Sequence, residues 1–182
     1  MPSPLKYFPD IMPAAITLEN NSRALAKVEF DFLFPKVITP KEPGKRVFLL
    51  REGTVEGGWR KCMNHPEIRE SLEKQGFRDL SKLLTSPELL FEELQTAEVV
   101  VLDDGSISAN ALLAGIRGAQ ILFLTHPGIA GGGGHNAWWS QGYFAVQGNQ
   151  VTSLHVSVLV ENDRTSDWWL DTGALHRELL RF

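Results

Sequence analysis

The chain has 182 residues, 43% of them apolar and 22% charged, with a formal net charge of −4. That is the composition of one globular domain with a full core; it excludes a disordered chain and, for want of clustered Lys and Arg, argues against a nucleic-acid binder. The longest apolar runs, VVVL and ILFL, fall far short of the roughly 20 residues that span a bilayer, and the single cysteine, Cys62, permits no intrachain disulfide and points to a reducing, cytoplasmic setting.

Residues 1–15 hold four prolines and read as an extended segment ahead of a single domain over 16–182. They lack the charged, then apolar, then small-residue pattern of a secretory signal. In residues 24–34, ALAKVEFDFLF, Val28, Phe30 and Phe32 alternate with Glu29 and Asp31, the pattern of a half-buried strand. PKVITPKEPGKR is broken by prolines and a glycine, and VFLL (47–50) is a second strand. Residues 65–95 read as two or three short helices. Asn64 caps the first, Pro66 and Glu67 lie in its first turn, and Gly76 ends it. Ser86-Pro87-Glu88 opens another, and Leu80, Leu83, Leu84, Leu90 and Leu94 are expected to face the sheet.

The segment 97–125 is the most informative. AEVVVL is a continuous apolar strand, as expected when both faces are covered. DDGS turns the chain, with Ser106 as helix cap, and ISANALLAGIRG is a helix ending at Gly118. QILFLT is a second continuous strand. Strand, helix and strand with short joints make a βαβ unit whose strands are parallel. GYFAV and VTSLHVSVLV, flanking Gly148-Asn149, read as a C-terminal β-hairpin over 143–160. DTGALHRELLRF is a short terminal helix that buries Leu175, Leu179 and Phe182. The fold class is α/β or α+β: a mixed β-sheet around the central parallel unit, with N-terminal strands, short helices and the terminal hairpin and helix.

In a parallel unit the C-terminal ends of both strands share one sheet edge, where ligands of open α/β sheets bind. Here the first strand ends in Asp103 and Asp104 and the second in Thr125 and His126. Gly131, Gly132, Gly133 and Gly134 follow, then His135 and Trp138. Asp103, His126 and His135 are the candidate acid–base groups. Asp104, Ser106, Thr125, the four glycines and Trp138 are candidate ligand contacts. The glycines either cradle an anion through backbone amides or form a plain flexible turn. They are neither a phosphate-binding loop, since no Gly-Lys-Ser/Thr follows, nor a dinucleotide fingerprint.

Each group also has a structural reading. Asp104 and Ser106 suit a turn and a cap. VVVLDDGS resembles the strand–turn signature of family 2 glycosyltransferases, in which such aspartates help hold a sugar nucleotide; too little chain follows for the acceptor half of that fold, and no function is carried over. LDTGA matches the motif of retroviral-type aspartic proteases, but only nine residues follow Gly173, and a helix cap at Asp171 is the better reading. Cys62 and His65 with His126 and His135 do not have zinc spacing, so no metal site is expected. A Cys62–His135 nucleophile pair depends on a thiolate at the helix start; a buried or incidental cysteine is the favoured reading. Of the pairs Trp138-Trp139 and Trp168-Trp169, strand geometry exposes one member each.

The expected function is binding of a small polar or anionic ligand at this edge, with hydrolase or transferase chemistry open to its histidines and the cofactor undetermined. The alternative is a non-catalytic interaction subunit of a larger assembly or homo-oligomer, contacting a protein partner through its tryptophans.

Overall fold

The computed structural model describes residues 39–51, 61–103, 106–126, 142–160 and 166–182. The expected strand within 24–34 and the proline-rich segment lie outside these residues. In chain order the elements are β1 (Arg46–Leu49), α1 (His65–Lys74), β2 (Phe77–Asp79), a 3-10 turn (Ser81–Leu83), α2 (Pro87–Thr96), β3 (Val99–Asp103), α3 (Ser106–Leu113), β4 (Gln120–Thr125), a helical turn over 142–146, β5 (Gln150–His155), β6 (Ser157–Val158), β7 (Trp168–Trp169) and α4 (Thr172–Leu179).

The helices start and stop where local chemistry says they should. Pro66 and Pro87 sit in the first turns of α1 and α2, where a missing N–H costs nothing. Gly76 (φ 81°) ends α1 in the left-handed region that glycine tolerates. Gly115 (φ 66°) plays that part for α3, three residues before the expected Gly118. The Asp171 carboxylate accepts from the Gly173 amide at 2.8 Å, so LDTGA is a helix cap. Asn64 precedes α1 without capping it. Its amide grips Leu170 from both sides instead, donating to the Leu170 carbonyl at 2.8 Å and accepting from the Leu170 N–H at 3.1 Å.

Five strands form one sheet in the order β2-β1-β3-β4-β5, and every pairing is parallel. The expected mixed sheet is thus parallel throughout among the described residues. Its three central strands, β1, β3 and β4, are buried on both faces. Val47, Leu49, Val100, Leu102, Ile121 and Phe123 pack with Leu90 and Leu94 of α2, Ala111 and Leu112 of α3, and Phe144. Phe48, Val99, Val101, Leu122 and Leu124 pack on the opposite face with Ile68 and Leu72 of α1, Trp168, and Leu175 and Leu179 of α4. The step from β1 to β2 carries its helix on the second face. The steps from β2 to β3, β3 to β4 and β4 to β5 run the other way across the sheet and carry theirs on the first. All crossovers therefore share one hand, as parallel units do.

Two expectations are corrected. Within 65–95, Phe77–Asp79 is an edge strand beside β1 rather than helix, and Leu84 is exposed. Phe77, Leu80, Leu83 and Leu84 mimic a helical period over too short a run to separate the two structures. The C-terminal hairpin exists, but it joins β6 to β7, Ser157 opposite Trp169 and Val158 opposite Trp168. GYFAV does not pair with it: residues 142–146 are helical, and Gly148 (φ 85°) closes that turn. The reason is topological. β5 lies parallel to β4, so the chain must cross over a face of the sheet, and Phe144 packs there with its ring 6.3 Å from that of Phe123.

Candidate functional site

The strand order places a reversal between β1 and β3. The chain leaves β1 toward one face, for α1, and leaves β3 toward the other, for α3. Adjacent connections that diverge in this way open a crevice at the C-terminal edge, and open α/β sheets bind ligands there. Arg51 lies just past β1 at this point, Asp103 ends β3, and the N-terminus of α3 begins at Ser106.

Parity along the strands sorts the side chains. Val99 and Val101 face α1 and α4, so Asp103 does too. It is only 6% exposed. Along β4, Leu122 and Leu124 share that face, and His126 follows them at 3% exposure. Asp103 pairs in register with Leu124, so His126 stands one strand over and two residues on, with its Cα roughly 8 Å from that of Asp103 by strand geometry. Thr125 is buried as well, but it projects to the opposite face with Ile121 and Phe123. Asp103 and His126 thus share one face of the sheet, and Thr125 lies on the other.

The His126 Nε2 lies 2.9 Å from the Ser166 carbonyl oxygen. A carbonyl only accepts, so Nε2 carries the proton, and in the neutral ring Nδ1 is the basic nitrogen. A histidine whose tautomer is fixed has a defined basic nitrogen, as a general base requires.

Cys62 lies on this same face, buried against Trp168. Burial pushes its thiol up to about 12, and the charges of Asp103 and Glu67 act in the same direction. The reading of Cys62 as a buried cysteine therefore holds, and a thiolate nucleophile at the helix start finds no support. Because the folded value exceeds the ordinary 9.0, the stability the thiol contributes is full below about pH 9 and falls as pH rises toward 12. Native protein at pH 8 should react with a thiol reagent only as fast as it unfolds, and a rapid stoichiometric reaction without denaturant would contradict this burial.

Asp104, Gly131, Gly132, Gly133, Gly134, His135 and Trp138 lie outside the described residues. Ser106 is the first residue of α3, so the position that caps this helix is outside them as well. Among the described residues no group of three or more His, Cys, Asp and Glu side chains forms a metal site, and no helix is long and apolar enough to cross a membrane.

Two open grooves of about 470 Å³ and 490 Å³ meet at Gly76 and Arg78, along β2 and away from Asp103. Their charges are largely mutual. Lys45 pairs with Glu42 and Glu93, Arg69 with Glu73 and Asp79, and Arg78 with Glu93. Paired charges leave little field for a ligand, so volume alone does not make these grooves the site. Sequence reading passed over Arg51, which becomes a candidate only once β1 is known to lie beside β3; a basic residue directly after a buried strand was the available signal. No protein-family model matches this chain, and no curated protein matches it in sequence.

Proposed function

We propose that this chain binds a small polar or anionic ligand in the crevice between the C-terminal ends of β1 and β3, with Asp103 and His126 on its wall. The observation that carries the reading is the reversal of strand order beside a buried carboxylate and a tautomer-fixed imidazole. The N-terminus of α3 favours the anionic part of a ligand, and Arg51 adds a positive charge. His126 Nδ1 is the base for a hydrolase or transferase reaction on the bound ligand. Asp104, Ser106, His135, the four glycines and Trp138 remain candidate contacts from the connections above that edge, and the setting we infer is cytoplasmic.

Thermal unfolding across divalent metals, nucleotides, sugar nucleotides and simple anions tests this. A ligand at 100 times its dissociation constant adds about 2.7 kcal/mol, which raises the midpoint of a domain this size by roughly 5–10 °C. Asp103→Asn and His126→Gln should remove that shift while the unliganded proteins stay folded. A shift that survives both changes places the ligand elsewhere and refutes the reading.

A flat panel favours the second reading, an interaction subunit. Its support is the small sheet in which residue 62 pairs with Trp168 and β7 with β6. The outer face of this sheet carries Met63, Trp169 and Leu159, all exposed, and exposed aromatic residues anchor protein interfaces. Under this reading Trp169→Ala weakens partner capture and the changes at Asp103 and His126 leave it intact.

A further inference from the structure

The two edges of the parallel sheet are built differently. The β2 edge is three residues long, carries Arg78 and Asp79, and is followed by Lys82. Short, charged edges resist pairing with other strands. The β5 edge has no such protection. The run QVTSLHVSVLV, 150–160, contains no Lys, Arg, Asp, Glu or Pro. Gln150, Ser153, His155, Ser157, Leu159 and Val160 along it are exposed, the last two at 60% and 56%. Among the described residues β5 pairs only with β4, and β6 only with β7.

The ladder shows which backbone groups this edge presents. The Gln150 and Val156 amides donate to the Ala119 and Thr125 carbonyls on the β4 side. In a strand the backbone groups alternate in direction. Residues 150, 152, 154 and 156 therefore bond toward β4, while the N–H and C=O of Val151, Ser153 and His155 point away from the sheet. Those three residues are symmetric about Ser153. A second copy turned through a two-fold axis at Ser153 presents the same groups antiparallel, with Ser153 opposite Ser153 and Val151 opposite His155. That is a closed, self-complementary contact of about six backbone hydrogen bonds.

We infer that the β5 edge is a homodimer interface, at which two copies of this chain join antiparallel through Val151–His155 into one continuous sheet. The partner is this chain itself because the contact demands only an uncharged edge with this symmetric register, and the second copy supplies it. The inference is independent of the ligand reading, since the edge lies on the far side of β4 from the β1–β3 crevice.

Sedimentation equilibrium of the full chain over a wide concentration range tests it. The wild-type mass should rise from 20.3 kDa toward twice that value. Ser153→Pro removes one outward donor without touching the β4 ladder, a position at which edge strands accept proline. It should stay monomeric or dimerise at least about tenfold more weakly, with an unchanged circular dichroism spectrum. Should that variant fail to fold, Ser153→Lys serves in its place, since it sets two like charges across the two-fold axis, and the same weakening is expected. A wild-type chain that remains at 20.3 kDa up to its solubility limit overturns the proposal, and another segment of the same chain then covers the edge. A dimer that withstands the folded variant also overturns it, and points to the face of Met63, Trp169 and Leu159.

Discussion

Asn149→Ala should lower the unfolding free energy by about 3 kcal/mol, the largest effect we expect from a polar residue among the described residues. Its side chain is buried between the connection that enters β4 and the turn that precedes β5. Its Oδ1 accepts from the Ala119 amide at 2.9 Å, and its Nδ2 donates to the Ile116 and Phe144 carbonyls at 2.8 Å each. Alanine leaves the Ala119 N–H and the Ile116 carbonyl buried without these partners, and each orphaned group costs about 1–3 kcal/mol. For a domain of this size that corresponds to a fall in midpoint of roughly 6–12 °C. Asn149→Asp should be worse at neutral pH, because a buried carboxylate would face two carbonyl oxygens where an amide now donates. Denaturant unfolding of the three proteins checks the order. A loss below about 1 kcal/mol for the alanine variant would show that the clamp relaxes without cost.

Trp168→Ala should cost about 3–5 kcal/mol, while Trp169→Ala, one residue on, should cost less than about 1 kcal/mol. The two side chains leave opposite faces of β7. Trp168 is 4% exposed and packs with the residues of α1, α4 and the sheet, whereas Trp169 is 39% exposed. The backbone of Trp168 also binds both neighbours of Cys62, donating to the Lys61 carbonyl at 3.0 Å and accepting from the Met63 amide at 2.7 Å. Truncating its ring opens a cavity at the junction that holds Ser166, and so the His126 ring, in place. Urea unfolding measures both free energies. Equal losses for the two variants would mean that the ribbon does not pack as described.

Both sites support elements that carry residues of the candidate crevice. Asn149 ties the start of β4 to the start of β5, so it fixes the strand whose far end carries His126. Trp168 secures the ribbon whose Ser166 carbonyl orients that imidazole. Their influence on the site runs through the position of the His126 ring.

The amino-acid sequence by itself determined the elements whose causes are local. The continuous apolar runs of β3 and β4, the helix between them and their parallel pairing follow from residues 97–125. The prolines of α1 and α2 and the cap at Asp171 are likewise local chemistry, and each holds in the structure. The alternation of Leu154, Val156 and Val158 persists into β6 before Val160 reaches solvent. Thr125 and His126, grouped in one site from the sequence, lie on opposed faces, as strand parity requires.

What the tertiary structure decided concerns partners remote in sequence. Phe77–Asp79 is a strand because β1 offers it an edge, and the carbonyl of Phe48 takes the amide of Leu80. Residues 142–146 are helical because β5 must cross a face to lie parallel to β4. The adjacency of β1 and β3, which brings the ends of both strands to one edge of the sheet, and the exposed edge of β5 depend on strand order. Backbone hydrogen bonds are chemically alike at every residue, so a strand's own side chains specify how much of it is buried, while the choice of neighbour falls to the packing of the whole chain.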